Sequence, residues 1–392
     1  MLVLIRNGEV YAPDYLGRKD LLIIDEKIGF IEDRIDIPEG FFAERIKVID
    51  AEGKVILPGF IDSHVHILGG GGEGGYKTRT PEIKLTDATL SGITTLVGVI
   101  GTDGTTRTMA SLVAKARGLD EEGITCYVQT GSYQVPVRTL TGKIEDDILL
   151  VDKIIGTGEI AISDHRSSQP TAEEFARIAS QSRVGGILSG KSGVVNVHLG
   201  DSRDCLKLIY EVIENTDIPI KQFYPTHINR NPYLFEEGIN FALKGGYVDF
   251  TTSTIPQFLE DGEVECGKGL KRMLDEGVPV ENITFTSDGQ GSLPEFNKEG
   301  EFKGLKVAQV SSLFNAVRDA VLEEGIPLET AIKVITSNPA RILKLHQKGS
   351  ITVGKDADAV IVDKETLAVH TVVARGKVMV EKGQAVIKGT FE

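Results

Sequence analysis

The first 56 residues alternate apolar and polar positions in short stretches broken by turns: MLVLIRNGEVY, DLLIIDEKIGFIED and ERIKVIDAEGKVI. Alternation over a few residues marks half-buried strands. The same pattern returns near the end, from GSITVGKDADAVIVD through HTVVARGKVMVEKGQAVIKG. Residues 1–56 plus 346–392 are therefore expected to form one small β domain, a β-sandwich assembled from both termini. Between them, short continuous apolar runs alternate with helical periodicity, which predicts βα units and a parallel sheet. Eight strands are predicted, at 55–62, 94–100, 124–130, 159–163, 194–199, 220–227, 247–252 and 283–288. Helices fall between most of them, such as 171–183, opened by Pro170 and Thr171, and 311–325, stopped by Gly325. Eight such units in residues 57–345 fit an α/β fold of the TIM (β/α)8 barrel type, whose chemistry sits at the C-terminal strand ends. A doubly wound sheet alternates in the same way and is the competing architecture.

Composition narrows the function classes. With 392 residues the chain can bury a large core, so it needs no disulfide or metal staple merely to fold. Its 43 basic against 57 acidic side chains, a net charge of −14, argue against a nucleic-acid partner, which would need a basic face. Cys126, Cys205 and Cys266 are widely spaced and odd in number, which reads as buried thiols rather than a disulfide framework. Arg6, Glu9 and Asp14 come too early for the apolar core of a signal peptide. The longest uncharged run, Ala88 to Thr102, has 15 residues against the roughly 20 that a membrane span needs. The expectation is a cytoplasmic protein with no membrane or nucleic-acid partner, assembled as a homo-oligomer.

Histidine placement carries the chemistry. His64 and His66 follow the first barrel strand in GFIDSHVHILGG, and an H-x-H in extended chain puts both imidazoles on one side. His198 ends the fifth predicted strand, His227 the sixth, and Asp288 the eighth. Four of seven histidines thus fall where a barrel would gather them. Imidazoles and carboxylates suit Zn²⁺ and related divalent ions.

This pattern of H-x-H, two single histidines and a late aspartate resembles the amidohydrolase superfamily, and NPARILKLHQKGSITVGKDADAVIVD resembles its return from barrel to small β domain. The likeness covers essentially the whole chain. The runs GGGGEGG, QTGSYQVP, ISDHRS, THINR and TSDGQGSLP are similar in finer detail to the isoaspartyl (β-aspartyl) dipeptidases of that superfamily. The resemblance implies two zinc ions, one held by His64, His66 and Asp288 and the other by His198 and His227. It also implies a bridging carboxylated lysine, but Glu159 stands at that position, seven residues before Arg166. A glutamate offers the same two-oxygen anion without CO₂ over a shorter reach; a water-bridged pair or a single metal are the alternatives.

A hydroxide shared by two dications is nucleophilic at neutral pH, because coordination lowers the pKa of water from about 15.7 to about 7. The resemblance assigns Asp288 the proton transfer from that water to the leaving amine. Tyr133 offers a phenol to the developing oxyanion, or is a loop aromatic packed on the rim. Arg166 and Arg230, just past the fourth and sixth strands, are suited to carboxylates, or are structural ion-pair partners. Glu73 among glycines reads as an ammonium site or a solvated loop charge. One cation site and two anion sites describe a zwitterionic dipeptide with a second carboxylate, and the resemblance implies a β-aspartyl one. The family pattern places Glu73 on its amine, Arg166 and Arg230 on the leaving residue's carboxylate, and Gly71, Thr102 and Ser292 on the aspartyl end. The competing readings are a cyclic amidohydrolase of the dihydroorotase or hydantoinase kind, and a non-catalytic scaffold that has kept the fold.

Overall fold

The computed structural model describes residues 2–37, 45–297 and 302–392. Five strands come first: β1 (Leu2–Tyr11), β2 (Tyr15–Ile24), β3 (Lys27–Glu32), β4 (Ile46–Asp50) and β5 (Lys54–Pro58). Eight follow, alternating for the most part with helices: β6 (Phe60–Val65), β7 (Ile93–Gly98), β8 (Thr125–Thr130), β9 (Ile154–Ile162), β10 (Val195–Leu199), β11 (Phe223–Thr226), β12 (Val248–Thr251) and β13 (Ile283–Thr286). A hairpin of β14 (Ser292–Phe296) and β15 (Phe302–Val307) leads into further helices. The chain ends with β16 (Ala359–Asp363), β17 (Val369–Ala374), β18 (Lys377–Glu381) and β19 (Gln384–Ala385).

Strands from the two ends of the chain share one nine-stranded sheet, ordered β19-β18-β17-β16-β5-β1-β2-β3 with β4 also on β1. The sheet branches at β1. Leu2 to Arg6 pair in parallel with β4, whereas Glu9 and Val10 pair in parallel with β5. The residues expected to make a sandwich are hydrogen-bonded as this one continuous sheet. The mixed α/β centre is built on parallel strands. β6 to β11 run side by side in sequence order, and β12 pairs with β13. Ile228 N donates to Asp249 O at 3.1 Å across the β11–β12 junction, and His66 N donates to Gly289 O at 2.9 Å between the exits of β6 and β13. β6, β7 and β9 are buried along their whole length, as expected of parallel strands covered on both faces.

Several element boundaries differ from the pattern reading. The run at 55–62 is two strands, because β5 finds an antiparallel partner in β16 while β6 turns to pair in parallel with β7. The fourth strand begins at Ile154 rather than 159, and the sixth keeps only Phe223–Thr226 because Ile220–Gln222 form a 3₁₀ turn. The helix expected at 171–183 spans Ala172–Ser189. It opens on a reciprocal Thr171–Glu174 capping box and runs through the buried Gly185 and Gly186 before Gly190 ends it.

Candidate active site and its metal ligands

The residues singled out by the sequence converge where the parallel strands end. His64 lies in β6 with His66 just past it, Glu159 in β9 and His198 in β10. His227 is the first residue after β11, and Asp288 is the second after β13. His227 and Asp288 leave their strands with φ of 65° and 53°, a left-handed conformation rare outside glycine. That turn swings both side chains inward over the strand ends.

The ligand atoms face one another closely. Asp288 Oδ1 is 3.0 Å from His66 Nε2 and 3.6 Å from His64 Nε2. Glu159 Oε2 is 3.2 Å from His198 Nδ1, 3.4 Å from His64 Nε2 and 3.9 Å from His227 Nε2; its Oε1 is 3.6 Å from His66 Nε2. Two sets could each hold an ion, His64, His66 and Asp288, and His64, Glu159 and His227, with ligand atoms within 4.8 Å of one another in each. His198 adds a nitrogen 2.9 Å from His227 Nε2.

Outer contacts fix which nitrogen points inward. His64 Nδ1 is 3.0 Å from Asn196 Oδ1, and His227 Nδ1 meets Thr251 Oγ1, so each presents Nε2 to the centre. His64 Nε2, Glu159 Oε1 and Asp288 Oδ1 are buried with no hydrogen-bond partner. Such inward-aimed atoms are costly unless an ion or water satisfies them. Nitrogen and carboxylate donors at this spacing fit divalent cations.

Electrostatics point the same way. Burial resists the charged His64 imidazolium, yet the Glu159 carboxylate outweighs it and holds the pKa up at about 10. Burial resists the Glu159 carboxylate too, but His64 above all holds it well below the usual range. His227 is pushed down to about 3 by burial and then by Arg230. The two carboxylates act as anions that call for positive charge between them.

A cavity of about 1070 Å³ opens above this cluster. His66, Gly71, Glu73, Thr102, Tyr133, Arg166, His227, Arg230, Asp288 and Ser292 all line it, while His64, Glu159 and His198 lie beneath. Tyr133 OH is 2.8 Å from His198 Nδ1, and burial pushes its phenol well above the usual range. Thr102 Oγ1 donates to Glu73 Oε1 at 2.9 Å, and Arg166 Nη1 is 3.5 Å from the same oxygen. The expected ammonium site and one expected carboxylate site therefore touch. Arg230 Nη1 donates to Leu199 O at 2.6 Å, with Nε 4.0 Å from Asp201. Gly71 has φ of 65°, and a β-carbon there would come within 2.6 Å of Thr78 O and 2.9 Å of Ser292 Cβ. Only glycine lets these loops close so tightly.

Four buried residues that brace the site went unread in the sequence. Arg107, 5% exposed, donates to the carbonyls of Leu68, Gly70 and Gly71 and so holds the glycine loop that carries Glu73. Asp62 accepts from Ser287 N at 3.1 Å and from the Ser287 hydroxyl, tying β6 to the exit of β13. Asp249 accepts from Thr226, Thr284 and Thr286 at 2.6 Å each, joining the strands that lead to His227 and Asp288. Burial pushes these two carboxyls up, to about 7 and about 6. Asp164 accepts from Arg166 and meets His198.

Comparison with known proteins decides the family. Residues 47–109 and 268–384 match models of the amidohydrolase family. A crystal structure of the β-aspartyl dipeptidase from Fervidobacterium islandicum AW-1, in complex with the β-Asp-Leu dipeptide, is 45% identical, with 98% of each chain covered and a TM-score of 0.88. The chain belongs to the β-aspartyl dipeptidase family of the amidohydrolases. A second structure of the Fervidobacterium enzyme is 42% identical over the same coverage, also with a TM-score of 0.88. Curated relatives of this amidohydrolase are more distant. The dihydroorotase of Elusimicrobium minutum is 24% identical over 93% of this chain and 88% of its own, and the allantoinase of Bacillus licheniformis 26% over 92% and 87%. A D-hydantoinase structure at 19% identity, covering 100% of this chain and 97% of its own with a TM-score of 0.70, shares the fold. Among the described residues no helix is long and apolar enough to cross a membrane.

Proposed function

We propose that this amidohydrolase cleaves the isopeptide bond of β-aspartyl dipeptides with two divalent metal ions, Zn²⁺ first among them, bridged by Glu159. The reading takes residues 57–345 as a (β/α)8 barrel and residues 1–56 with 346–392 as a small β domain. The observation that carries it is one cavity lined by Glu73, Arg166, Arg230 and Asp288, with the buried His64, Glu159 and His198 beneath it. His64, His66 and Asp288 would hold one ion, and His198 and His227 the other, sharing Glu159. When bound, the metals supply a hydroxide nucleophile at neutral pH and polarise the scissile carbonyl.

The chain's own groups do the rest. Glu73 receives the free α-ammonium, while Arg166 and Arg230 clamp the carboxylate of the departing residue with charge-assisted hydrogen bonds. Gly71, Thr102 and Ser292 seat the aspartyl end. Asp288 takes the proton from the attacking water and returns it to the leaving amine. Tyr133 donates to the oxygen on which negative charge develops. Free, buried Cys126, Cys205 and Cys266 suit a reducing compartment, and the proposal places the enzyme in the cytoplasm as a homo-oligomer.

The experiment is metal content per chain together with hydrolysis of β-Asp-Leu, α-Asp-Leu and dihydroorotate. Cleavage of β-Asp-Leu alone is expected; turnover of dihydroorotate alone would overturn the substrate assignment. That cyclic substrate is the second reading, favoured by the curated dihydroorotases. Arg107 supplies a mutational check. Arg107→Ala frees the loop that carries Glu73 and is expected to raise KM for β-Asp-Leu about tenfold or more, the worth of one charged hydrogen bond. Metal content should stay unchanged, and an unaltered KM would remove Arg107 from the account.

A further inference from the structure

We propose that Asp164 is a positioning residue serving both halves of the site at once: one carboxylate holds His198 with Nδ1 toward the metal ligands and holds the Arg166 guanidinium for substrate. This rests on the function proposed above.

Asp164 lies two residues past β9 and is 6% exposed. Its Oδ1 accepts from Arg166 N at 2.7 Å and Arg166 Nε at 3.0 Å, and its Oδ2 accepts from Arg166 Nη2 at 2.7 Å. The same Oδ2 is 3.0 Å from His198 Nε2. An ionised carboxylate only accepts, and Asp164 Oδ2 lies nearer to His198 Nε2 than Arg166 Nη2 at 3.4 Å or the Tyr133 hydroxyl at 3.2 Å, so Nε2–H donates to Asp164 and Nδ1 is the nitrogen left for a metal. That nitrogen faces Glu159 Oε2 at 3.2 Å, His227 Nε2 at 2.9 Å and the Tyr133 hydroxyl at 2.8 Å.

His64 and His227 are set differently. Their outer partners are the neutral Asn196 amide and Thr251 hydroxyl, neither of which touches a substrate-facing arginine in the cavity as Asp164 does. An ion pair that served only to anchor a loop would satisfy Arg166 without also reaching a buried imidazole. Asp164 does both. Metal affinity at His198 and substrate affinity at Arg166 are therefore joined through one side chain.

Asp164→Asn separates this role from plain structure. The amide oxygen still accepts from Arg166 N and Nε, but the amide NH₂ now faces both Arg166 Nη2 and His198 Nε2. Nε2 must then accept, the ring proton moves to Nδ1, and the metal-facing lone pair is lost. The expected result is Zn²⁺ affinity at one site weakened about 10- to 100-fold in chelator competition, with KM for β-Asp-Leu raised about tenfold. Arg166→Gln keeps Asp164 on His198, so it should raise KM and leave Zn²⁺ affinity at the wild-type value. Should D164N not fold, Asp164→Glu gives the test in reverse. It retains the acceptor and should keep Zn²⁺ affinity within about threefold of wild type. Wild-type Zn²⁺ affinity in D164N, or Zn²⁺ loss in D164E or R166Q, overturns the proposal. A wild-type chain that binds zinc but leaves β-Asp-Leu intact would instead refute the substrate reading, while D164N still reports on His198.

Discussion

Asp288→Asn is expected to lower kcat for β-Asp-Leu by about 10²- to 10⁴-fold, the usual range for a lost general acid–base group. Asparagine matches the aspartate in size, so it keeps the space and the turn with φ of 53° that aims the side chain into the cavity. It cannot take a proton from water or return one to the leaving amine. Asp288 Oδ1 is 3.0 Å from His66 Nε2, so the substitution also weakens the His64–His66–Asp288 set. The set built on Glu159 and His227 remains, and metal should still be found on the purified variant. Steady-state kinetics beside metal analysis check both halves. A kcat within tenfold of wild type in D288N would remove Asp288 from the proton path.

Glu159→Gln is expected to have the other large effect, on metal retention itself. The Glu159 side chain is almost fully buried, within 3.2–3.9 Å of four imidazoles, and its Oε1 has no hydrogen-bond partner. An amide there turns an NH₂ group toward the imidazoles and removes one of the two anions facing the centre. Metal content should fall by at least one ion per chain and kcat by at least about 10²-fold. Ligand binding to the folded state alone stabilises by about 2.7 kcal/mol at a hundred times Kd. The rise in Tm that zinc gives the wild type should therefore shrink in E159Q. Because a glutamate needs no CO₂, wild-type activity should not change when bicarbonate is added or removed. Recovery of a dialysed wild-type enzyme by bicarbonate would place the bridge on a carboxylated lysine and overturn the assignment to Glu159.

The convergence of the candidate metal ligands was legible because strand ends are fixed points. His64, His66, His198, His227 and Asp288 each stand at or just past the end of an apolar run, and parallel strands bring such ends together however far apart they lie in sequence. The length of β9 was not legible. The predicted strand starts only at 159, after its glycines, yet β-carbons at Gly156 and Gly158 would come within 2.6 Å of Val194 O and Asn196 O on the neighbouring segment. They are strand residues made small by close approach. Asp62, Arg107, Asp164 and Asp249 were illegible for another reason. Each acts at least partly through partners brought near only by the fold, such as Arg107 on carbonyls 36 to 39 residues away, Asp62 on a residue 225 away, and Asp164, beside Arg166 in sequence, on His198 34 away. No local spacing announces such contacts. A small sheet built from both ends was legible, but its strand order was not, because alternation tells which face of a strand is buried, not which strand lies beside it.

The pairing of β5 with β16 has a consequence for synthesis on the ribosome. Val55 and Ile56 bind β1 on one edge of β5, and residues Ala359–Asp363 cover the other. Those residues emerge about 300 positions later, which at about 5–20 residues per second leaves that edge uncovered for roughly 15–60 s. An open strand edge invites pairing with other chains. β5 also runs through Gly59 into the strand that carries His64. The nascent polypeptide must therefore keep the strand that carries His64 next to an unfinished edge until translation is nearly complete. Substitutions that slow elongation or weaken β16 should reach activity first through aggregation, before any change at the catalytic centre.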